Sequence, residues 1–303
     1  MMRKNITVII ASIAILLVSC KKFSGDQEIP AYIHVDKFTF QQSNTYDVEG
    51  ALTTNITDTW IYIDDNLQGC YELPCTVPIL ERGEHDITMY PGIKLNGISG
   101  TRVQYPFYVP FTEEDHYFRD EVVDTINPTS KYYKINESTV HFLIEDYDNS
   151  HELTFEPINQ SDTCIVITER DDKYTWISTN SHHSGHVTLF ANENDTIDYF
   201  AAATKQELKN LPNQGNAVFL EIDYKCDVEF EVGLFAEVTG SIKTIDILFV
   251  KPSAEWNKIY VNLGPSITDN SSATYFKIFL AAVRGDLKTA HLCFDNIKLV
   301  YRD

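Results

Sequence analysis

Basic residues are scarce in this sequence. Its 303 residues hold 24 Lys and Arg against 44 Asp and Glu, a formal charge of −20 at pH 7. A phosphate-binding surface needs clustered Lys and Arg, so nucleic acid is excluded as a partner class. The same deficit argues against electrostatic adhesion to an anionic bilayer. Beyond residue 18 no apolar run approaches the ~18 residues that mark a membrane-spanning helix. There is no G-x-S-x-G elbow, no H-E-x-x-H, no G-x-x-x-x-G-K-[ST] and no G-x-G-x-x-G, which leaves the familiar catalytic signatures unrepresented. Without C-x-x-C, neither a zinc ribbon nor a thioredoxin-like site is indicated. No solenoid-type repeat is visible. The expectation is a protein that is not an enzyme.

What is present is a strand former's composition. Tyr and Phe number 17 each, with 13 Gly and 11 Pro, and 43% of residues are apolar. That is too apolar for a disordered chain, and the aromatic content favours strands. At ~150 residues per domain the length suggests about two domains. The first residues carry an address. Arg3 and Lys4 precede an apolar stretch from Ile6 to Val18, too short to span a membrane but suited to a secretory signal. Leu17-Val18-Ser19-Cys20 resembles the signal-peptidase II site of bacterial lipoproteins. The resemblance implies a signal peptide over 1–19, cleavage before Cys20 and lipidation of that residue. A polar tether over 20–30 follows. The expected location is the cell envelope, as an outer-membrane lipoprotein on either the periplasmic or the surface face, with the membrane as one partner through the anchor.

Cys70, Cys75, Cys164, Cys226 and Cys293 then remain. An exported chain can form disulfides, and an odd count leaves at least one thiol over. Cys70 and Cys75 either close a small loop or are separate buried thiols. Short strands are expected at Ala31–Phe40, Thr59–Asp64, Leu67–Tyr71, Thr76–Leu80, His85–Tyr90 and Val103–Phe111, with a hairpin turn at Asp65-Asn66. The polar stretch from Thr112 to Ser130 reads as a boundary, dividing a first domain over 31–125 from a second over 126–303. In the second, Val218, Leu220, Ile222 and Tyr224 alternate with Glu221, Asp223 and Lys225. Phe230, Val232 and Leu234 repeat the pattern, as do Ile259, Val261 and Leu263, and Phe276, Ile278, Leu280 and Ala282. A period of two over many runs predicts half-buried antiparallel strands stacked as a sandwich. Ala201–Leu211 alone reads as a short helix.

Two stretches resemble known families. Trp60 to Asn96 resembles a PEGA-type domain, a small Ig-like β-module of bacterial envelope proteins. Ile61–Ile63, Asp64–Asn66, Gly69, Pro74 or Pro78, and Gly83 with His85–Tyr90 take the family's places. The Pro-Glu-Gly-Ala signature itself is absent, with Glu81-Arg82-Gly83-Glu84 near its position. The family implies a structural or adhesive module without catalytic residues. Residues 140–303 resemble a galactose-binding-like jelly roll, as in many carbohydrate-binding modules. The matching segments are Phe142–Tyr147, Ser184–Leu189, Ala254–Val261 and Phe294–Leu299, in the family's order. The expected fold class is therefore all-β, an N-terminal Ig/PEGA-like sandwich followed by a jelly roll.

The jelly-roll resemblance implies a structural calcium at Glu145, Asp146 and Asp295. Calcium wants six to eight hard oxygens, and Asp295 alternatively satisfies backbone donors in a turn. Asp146–Ser150 has an EF-hand flavour but no Gly at its sixth place and no Glu at its twelfth. His182, His183 and His186 read as a loop rather than a metal site. Sugar-binding clefts use flat aromatic faces with hydrogen-bonding neighbours. Trp176, with Tyr174 and Asp172 beside it, is the candidate platform, with Tyr199 a further candidate, while Trp256 reads as core. The expected partner is a glycan or glycoconjugate, the alternative an envelope protein docked on the β-domains.

Overall fold

Residues 29–135, 139–158, 160–178, 181–193 and 195–302 are described in a computed structural model. The expected signal peptide, Cys20 and the tether before Ile29 lie outside the described residues. The chain is all-β. The first half is a two-sheet sandwich. In one sheet β1 (Ala31–Val35) lies between β5 (Cys75–Ile79), antiparallel, and β9 (Val123–Ile126), parallel. In the other, β3 (Asp58–Ile63) lies between β4 (Asn66–Glu72) and the long β6 (Gly83–Lys94). The far edge of β6 is taken first by β8 (Phe111–Phe118) and then by β7 (Arg102–Gln104). Ile33, Val35, Ile61, Ile63, Ile87 and Met89 fill the space between the sheets. Each strand contributes alternate residues, as a strand with one buried face must.

The β3–β4 hairpin turns on Asp64 and Asp65, both at positive φ (46° and 62°), one residue earlier than the sequence reading. Asp tolerates this region, and two such residues match the twist of a tight hairpin. The polar stretch from Thr112 is not a linker. It forms β8 and β9, whose alternating exposure suits edge strands. The division expected at residue 125 falls inside β9. The short β10 (Thr129–Ser130) pairs with β2 (Thr39–Phe40).

The second half is a larger sandwich of two antiparallel sheets. One sheet is built on β22 (Thr289–Arg302). One edge of β22 takes β14 (Gly185–Ala191) and then β11 (Val140–Glu145). The other takes β17 (Val218–Cys226), which pairs onward with β20 (Ser253–Asn262). The short strands β13 (Val166–Ile167) and β15 (Thr196–Ile197) pair with β14. The facing sheet runs β12 (Phe155–Pro157), β16 (Tyr199–Thr204), β21 (Tyr275–Val283), β18 (Phe230–Val238), β19 (Ser241–Val250). The inward residues of β17, β18, β20 and β21 are the alternating set read from the sequence, and they form one buried core. Two short α-helices, α1 (Tyr46–Glu49) and α2 (Gly264–Asp269), and a 3-10 turn over Leu95–Gly97 complete the described elements.

Ala201–Leu211 is not a helix. Its first residues lie in β16, with Phe200 and Ala202 in the core and Ala201 and Ala203 on the outer face. Alanine is the best helix former, but propensity is a weak preference, and pairing to β21 overrides it. Cys70 and Cys75 are separate thiols, as are the other three described. The pair stands on β4 and β5, in different sheets. Burial pushes the Cys226 thiol up to about 11 and that of Cys293 to about 12.

Half-burial fails for β17 and β22. Their second face is covered by the first half of the chain. Pro106 and Pro110 break the extended run after β7, and Tyr105, Phe107 and Tyr108 around the first of them pack on Phe219, Tyr260 and Val300. Within this layer Glu221 is fully buried. It accepts hydrogen bonds from the hydroxyls of Tyr105 (2.6 Å) and Tyr132 (2.8 and 2.9 Å). Lys258 bridges Glu221 (3.3 Å) and Asp223 (3.0 Å). Desolvation alone would lower the Lys258 ammonium's pKa, but Asp223 and Glu221 hold it above its ordinary value. Lys298 donates to the Ala51 carbonyl at 2.6 Å. Its side chain passes beside Gly50, where a Cβ would stand 3.2 Å from Lys298 Cε and where a φ of +66° would strain any other residue.

Tyr132→Phe removes one of the donors to a buried carboxylate. Denaturant unfolding should show a loss of about 2 kcal/mol, the scale of a hydrogen bond to a charged group. Lys298 gives a pH signature. Burial, with Lys258 nearby, pushes its ammonium down to about 8. Below pH 8 the amine is charged in both the folded and the unfolded chain, and the fold carries the burial cost. Between pH 8 and its ordinary 10.5 the unfolded chain holds the extra proton, so this contribution rises with pH. Relative to Lys298→Met, the natural chain should therefore gain about 1 kcal/mol from pH 8 to pH 9, read from paired urea titrations.

Candidate functional site

Where the first half ends its cover of the second sheet, a groove opens. It has a volume of about 440 Å³ and is lined by residues 52–55 on one side and by Trp176, Asp223, Trp256, Asn257 and Lys258 on the other. A second hollow of about 230 Å³ shares Leu52, Thr53 and Trp176 and continues to Gln42, Tyr46 and Ser178. Trp176 thus stands at the junction of both. The two tryptophans are half-buried, each with ring surface left to solvent.

The first wall is fixed by hydrogen bonds across the two halves. The Asn55 backbone N–H donates to the Tyr260 hydroxyl at 2.9 Å. Its side-chain amide donates to the Lys258 carbonyl (3.0 Å) and to Asn257 Oδ1 (3.1 Å). Thr53 Oγ1 is buried beside the groove and has no hydrogen-bond partner within the described protein. The floor is the outer face of β17 and β20. Asp223 there is paired to Lys258 and accepts from Asn296 Nδ2 at 2.9 Å.

The second wall hangs on Asp295. Ser184 Oγ donates to Asp295 Oδ2 at 2.7 Å, and Ser181 Oγ reaches the same oxygen at 3.3 Å. Ser184 Oγ also accepts the Trp176 backbone N–H (2.9 Å), and Ser181 Oγ donates to the Trp176 carbonyl (3.2 Å). Two serines therefore carry the position of a buried carboxyl to the tryptophan. Burial pushes the Asp295 carboxyl well above the usual range, with Asp223 and Asp148 adding to the rise.

The carboxylates expected to hold calcium have other partners. Glu145 Oε1 accepts the Tyr147 N–H (3.0 Å) and contacts His151 Nδ1 (2.8 Å). Asp146 Oδ1 accepts the N–H groups of Asp148, Asn149 and Ser150, capping a turn. Asp295 Oδ1 accepts the Asn296 N–H at 2.7 Å. These oxygens face N–H and O–H donors, whereas Asp146 Oδ2 is buried without a hydrogen-bond partner within the described protein. Among the described residues no group of three or more His, Cys, Asp or Glu side chains is placed to hold a metal ion. His182 and His183 lie on the loop against Asp148, whereas His186 points from β14 to His291, with ring nitrogens 3.1 Å apart.

Of the four aromatic and acidic residues singled out for a glycan, the groove collects Trp176 alone. Tyr174 turns away and stacks on His186 (4.1 Å, 20°) and His291 (4.5 Å). Burial and His291 push His186 down to about 4. Asp172 caps the local turn by accepting the Tyr174 N–H at 2.8 Å. Tyr199 belongs to the opposite sheet, on its outer face. Trp256, read as core, lines the groove instead. The odd parity of Trp256 relative to Ile259 and Val261, both inward, was the available signal for it.

No protein-family model matches the chain, and no curated protein matches it. Solved structures similar to it each span about half of it. The K1 cleaved adhesin domain of Lys-gingipain from Porphyromonas gingivalis W83 is 15% identical over 52% of this chain and 96% of that one, with a TM-score of 0.37. The C-terminal family 22 carbohydrate binding module of Clostridium thermocellum Xyn10B is 15% identical over 52% and 92%, with a TM-score of 0.34. A family 11 carbohydrate-binding module from Clostridium thermocellum, in complex with a β-1,3-1,4-mixed-linked tetrasaccharide, is 13% identical over 52% and 94%, also at 0.34.

Ser184→Ala should free the Trp176 segment while leaving the sandwich folded. Acrylamide quenching of tryptophan fluorescence should rise, and urea denaturation should show a loss of about 1–2 kcal/mol for the broken buried bonds.

Proposed function

We propose that this protein is a lipid-anchored, non-catalytic component of the cell envelope that binds a neutral glycan in the groove between Trp176 and Trp256. The observation that carries the reading is the lining itself. Two half-exposed indole rings share one groove with two asparagines, two threonines and a fixed carboxylate. Flat aromatic faces take the C–H face of a sugar ring, and the amides and hydroxyls meet its hydroxyl groups. Such a mix of apolar surface and a few placed polar groups is what small-ligand sites have. Lys258 is balanced by Glu221 and Asp223, so its charge is spent within the protein, and a neutral sugar suits the groove better than a polyanionic one. Among the described residues Asp223 is the one carboxylate lining it, where glycoside hydrolysis calls on a facing pair ~5–9.5 Å apart. Lipidation at Cys20 rests on the sequence reading.

A second reading is docking of an envelope protein. Val166 and Ile167, on the edge strand β13, and nearby Ile177 are all more than half exposed, and exposed edge strands invite pairing with another chain.

Thermal shift and calorimetry of the full chain against a panel of neutral and acidic polysaccharides separate these. A neutral glycan class should raise the melting temperature saturably. Trp176→Ala and Trp256→Ala should each weaken it about 30-fold, the scale of losing a central aromatic contact worth ~2 kcal/mol. Absence of any glycan shift, with capture of one envelope protein that is lost in Val166→Asp, would replace this reading with docking.

A further inference from the structure

The outer face of the second sheet holds a different hollow, on the opposite side of the larger sandwich from the tryptophan groove. Small residues shape it. Ala201 and Ala203 on β16 and Ala281 on β21 lie on this face with Phe235 and Phe279. The two phenylalanine rings stack at 4.7 Å and 24°. Gly233 makes room for them, since a Cβ there would meet Phe279 at 2.3 Å. Toward one end the face opens into a trough of about 350 Å³ whose lining includes Tyr199, Glu229, Glu231, Phe249, Ala281 and Val283. Phe249 and Val283 are 56% and 61% exposed. Large apolar groups left to water at the mouth of a hollow mark an interaction site more often than chance.

The polar groups of this trough are of one kind. Glu229 and Glu231 offer acceptors, and the tyrosine adds an aromatic face. Glu231 meets Asp246, which stands on β19 opposite Gly233. Titratable groups facing Glu231 are Asp246 from β19 and the neutral Tyr199 hydroxyl from β16. At this level β21 presents Ala281, and its Lys277 stands further along, opposite Phe235. The nearby cation, Arg284, is turned to Asp198 at 2.7 Å and to the Leu287 carbonyl. Among the described lining residues none is basic, so an anion meets only carboxylates. A cation finds carboxylates, two aromatic rings and apolar walls together, the combination that recognises organic ammonium groups.

We propose that this trough is a second binding site, for an ammonium ion carried on an apolar stem. The stem lies along Val283, Ala281 and Phe249, and the ammonium sits between Glu231 and the Tyr199 ring. This site shares no residue with the tryptophan groove and stands or falls independently of it.

Burial and the Asp246 carboxylate push Glu231 up to about 7. Near neutral pH the two carboxyls therefore hold a proton between them. A bound ammonium ion favours the fully ionised pair and drives that proton off. With one proton released around pH 7, affinity should fall about tenfold from pH 8 to pH 6.

The test is calorimetry of the full chain with n-hexylamine, with 1-hexanol as its uncharged counterpart and acetyl-Ala-Lys-Ala amide as a lysine side chain. All three keep their charge from pH 6 to pH 8. Saturable hexylamine binding, about tenfold weaker at pH 6 and at least tenfold stronger than that of hexanol, is the expected result. Glu231→Gln should remove most of the affinity and the pH dependence. Phe249→Ala, at an exposed position, should weaken binding severalfold and keep the pH dependence. Tighter binding of the peptide than of hexylamine would assign the site to a protein's lysine, and the reverse to a free amine. Equal binding of hexanol, unchanged affinity in Glu231→Gln, or no saturation at pH 8 would overturn the proposal.

Discussion

The arrangement of the two halves depends on one buried ionic group, Glu221 with Lys258 and Asp223. A carboxylate without water is tolerated only when its oxygens are filled, and here they are filled by hydroxyls from the other half. Tyr105 and Tyr132 cannot be moved away without stranding a buried charge. Removing one partner of such a network costs more than the network contributes as a whole. Its value therefore lies in fixing where the halves meet rather than in adding net stability. The aromatic layer of Phe107, Tyr108, Phe219 and Tyr260 supplies the apolar burial around it.

The groove inherits its shape from that contact. Residues 52–55 belong to the first half and Trp176 and Trp256 to the second, so neither half contains a complete wall-and-floor set. The floor residue Lys258 is also a member of the buried network. The Tyr260 hydroxyl, which receives the Asn55 N–H, lies 3.0 Å from that of Tyr108. A chain of hydrogen bonds thus runs from the aromatic layer to the lip of the groove. Opposite it, Asp295 holds Trp176 through Ser184 and Ser181. Both walls are set by buried polar atoms rather than by loop packing.

Much of the fold was legible in the sequence because a two-residue period reports directly which side chains face a core. Val218 to Tyr224, Phe230 to Leu234 and Phe276 to Ala282 all point where the alternation puts them. What alternation cannot report is whether the other face meets water or another sheet. Glu221, Asp223, Lys258 and Lys298 look like solvent residues in one dimension, yet are buried, and Glu221 and Lys298 take hydrogen-bond partners from residues 51–132. The same blindness affected the site. Trp176 was legible as an aromatic amid polar neighbours, whereas Tyr174 and Asp172, adjacent in sequence, serve a stack and a turn. Trp256 was hidden by its place in a strand expected to pack. Asp295 was legible as important, but its task is to orient two serines, which depends on a loop more than a hundred residues away.

The pairing of β1 bears on how the molecule carries load. β1 is the first described strand, and it lies parallel to β9, with Tyr32 opposite Val123 and Val35 opposite Ile126. Tension applied to the chain ahead of Ala31 and resisted beyond β9 pulls these two strands past each other lengthwise. Their hydrogen bonds lie across that direction and are strained together, instead of opening one after another as in a peeled hairpin. The parallel pair is thus the part of the first sandwich that is loaded in shear when those two ends are drawn apart.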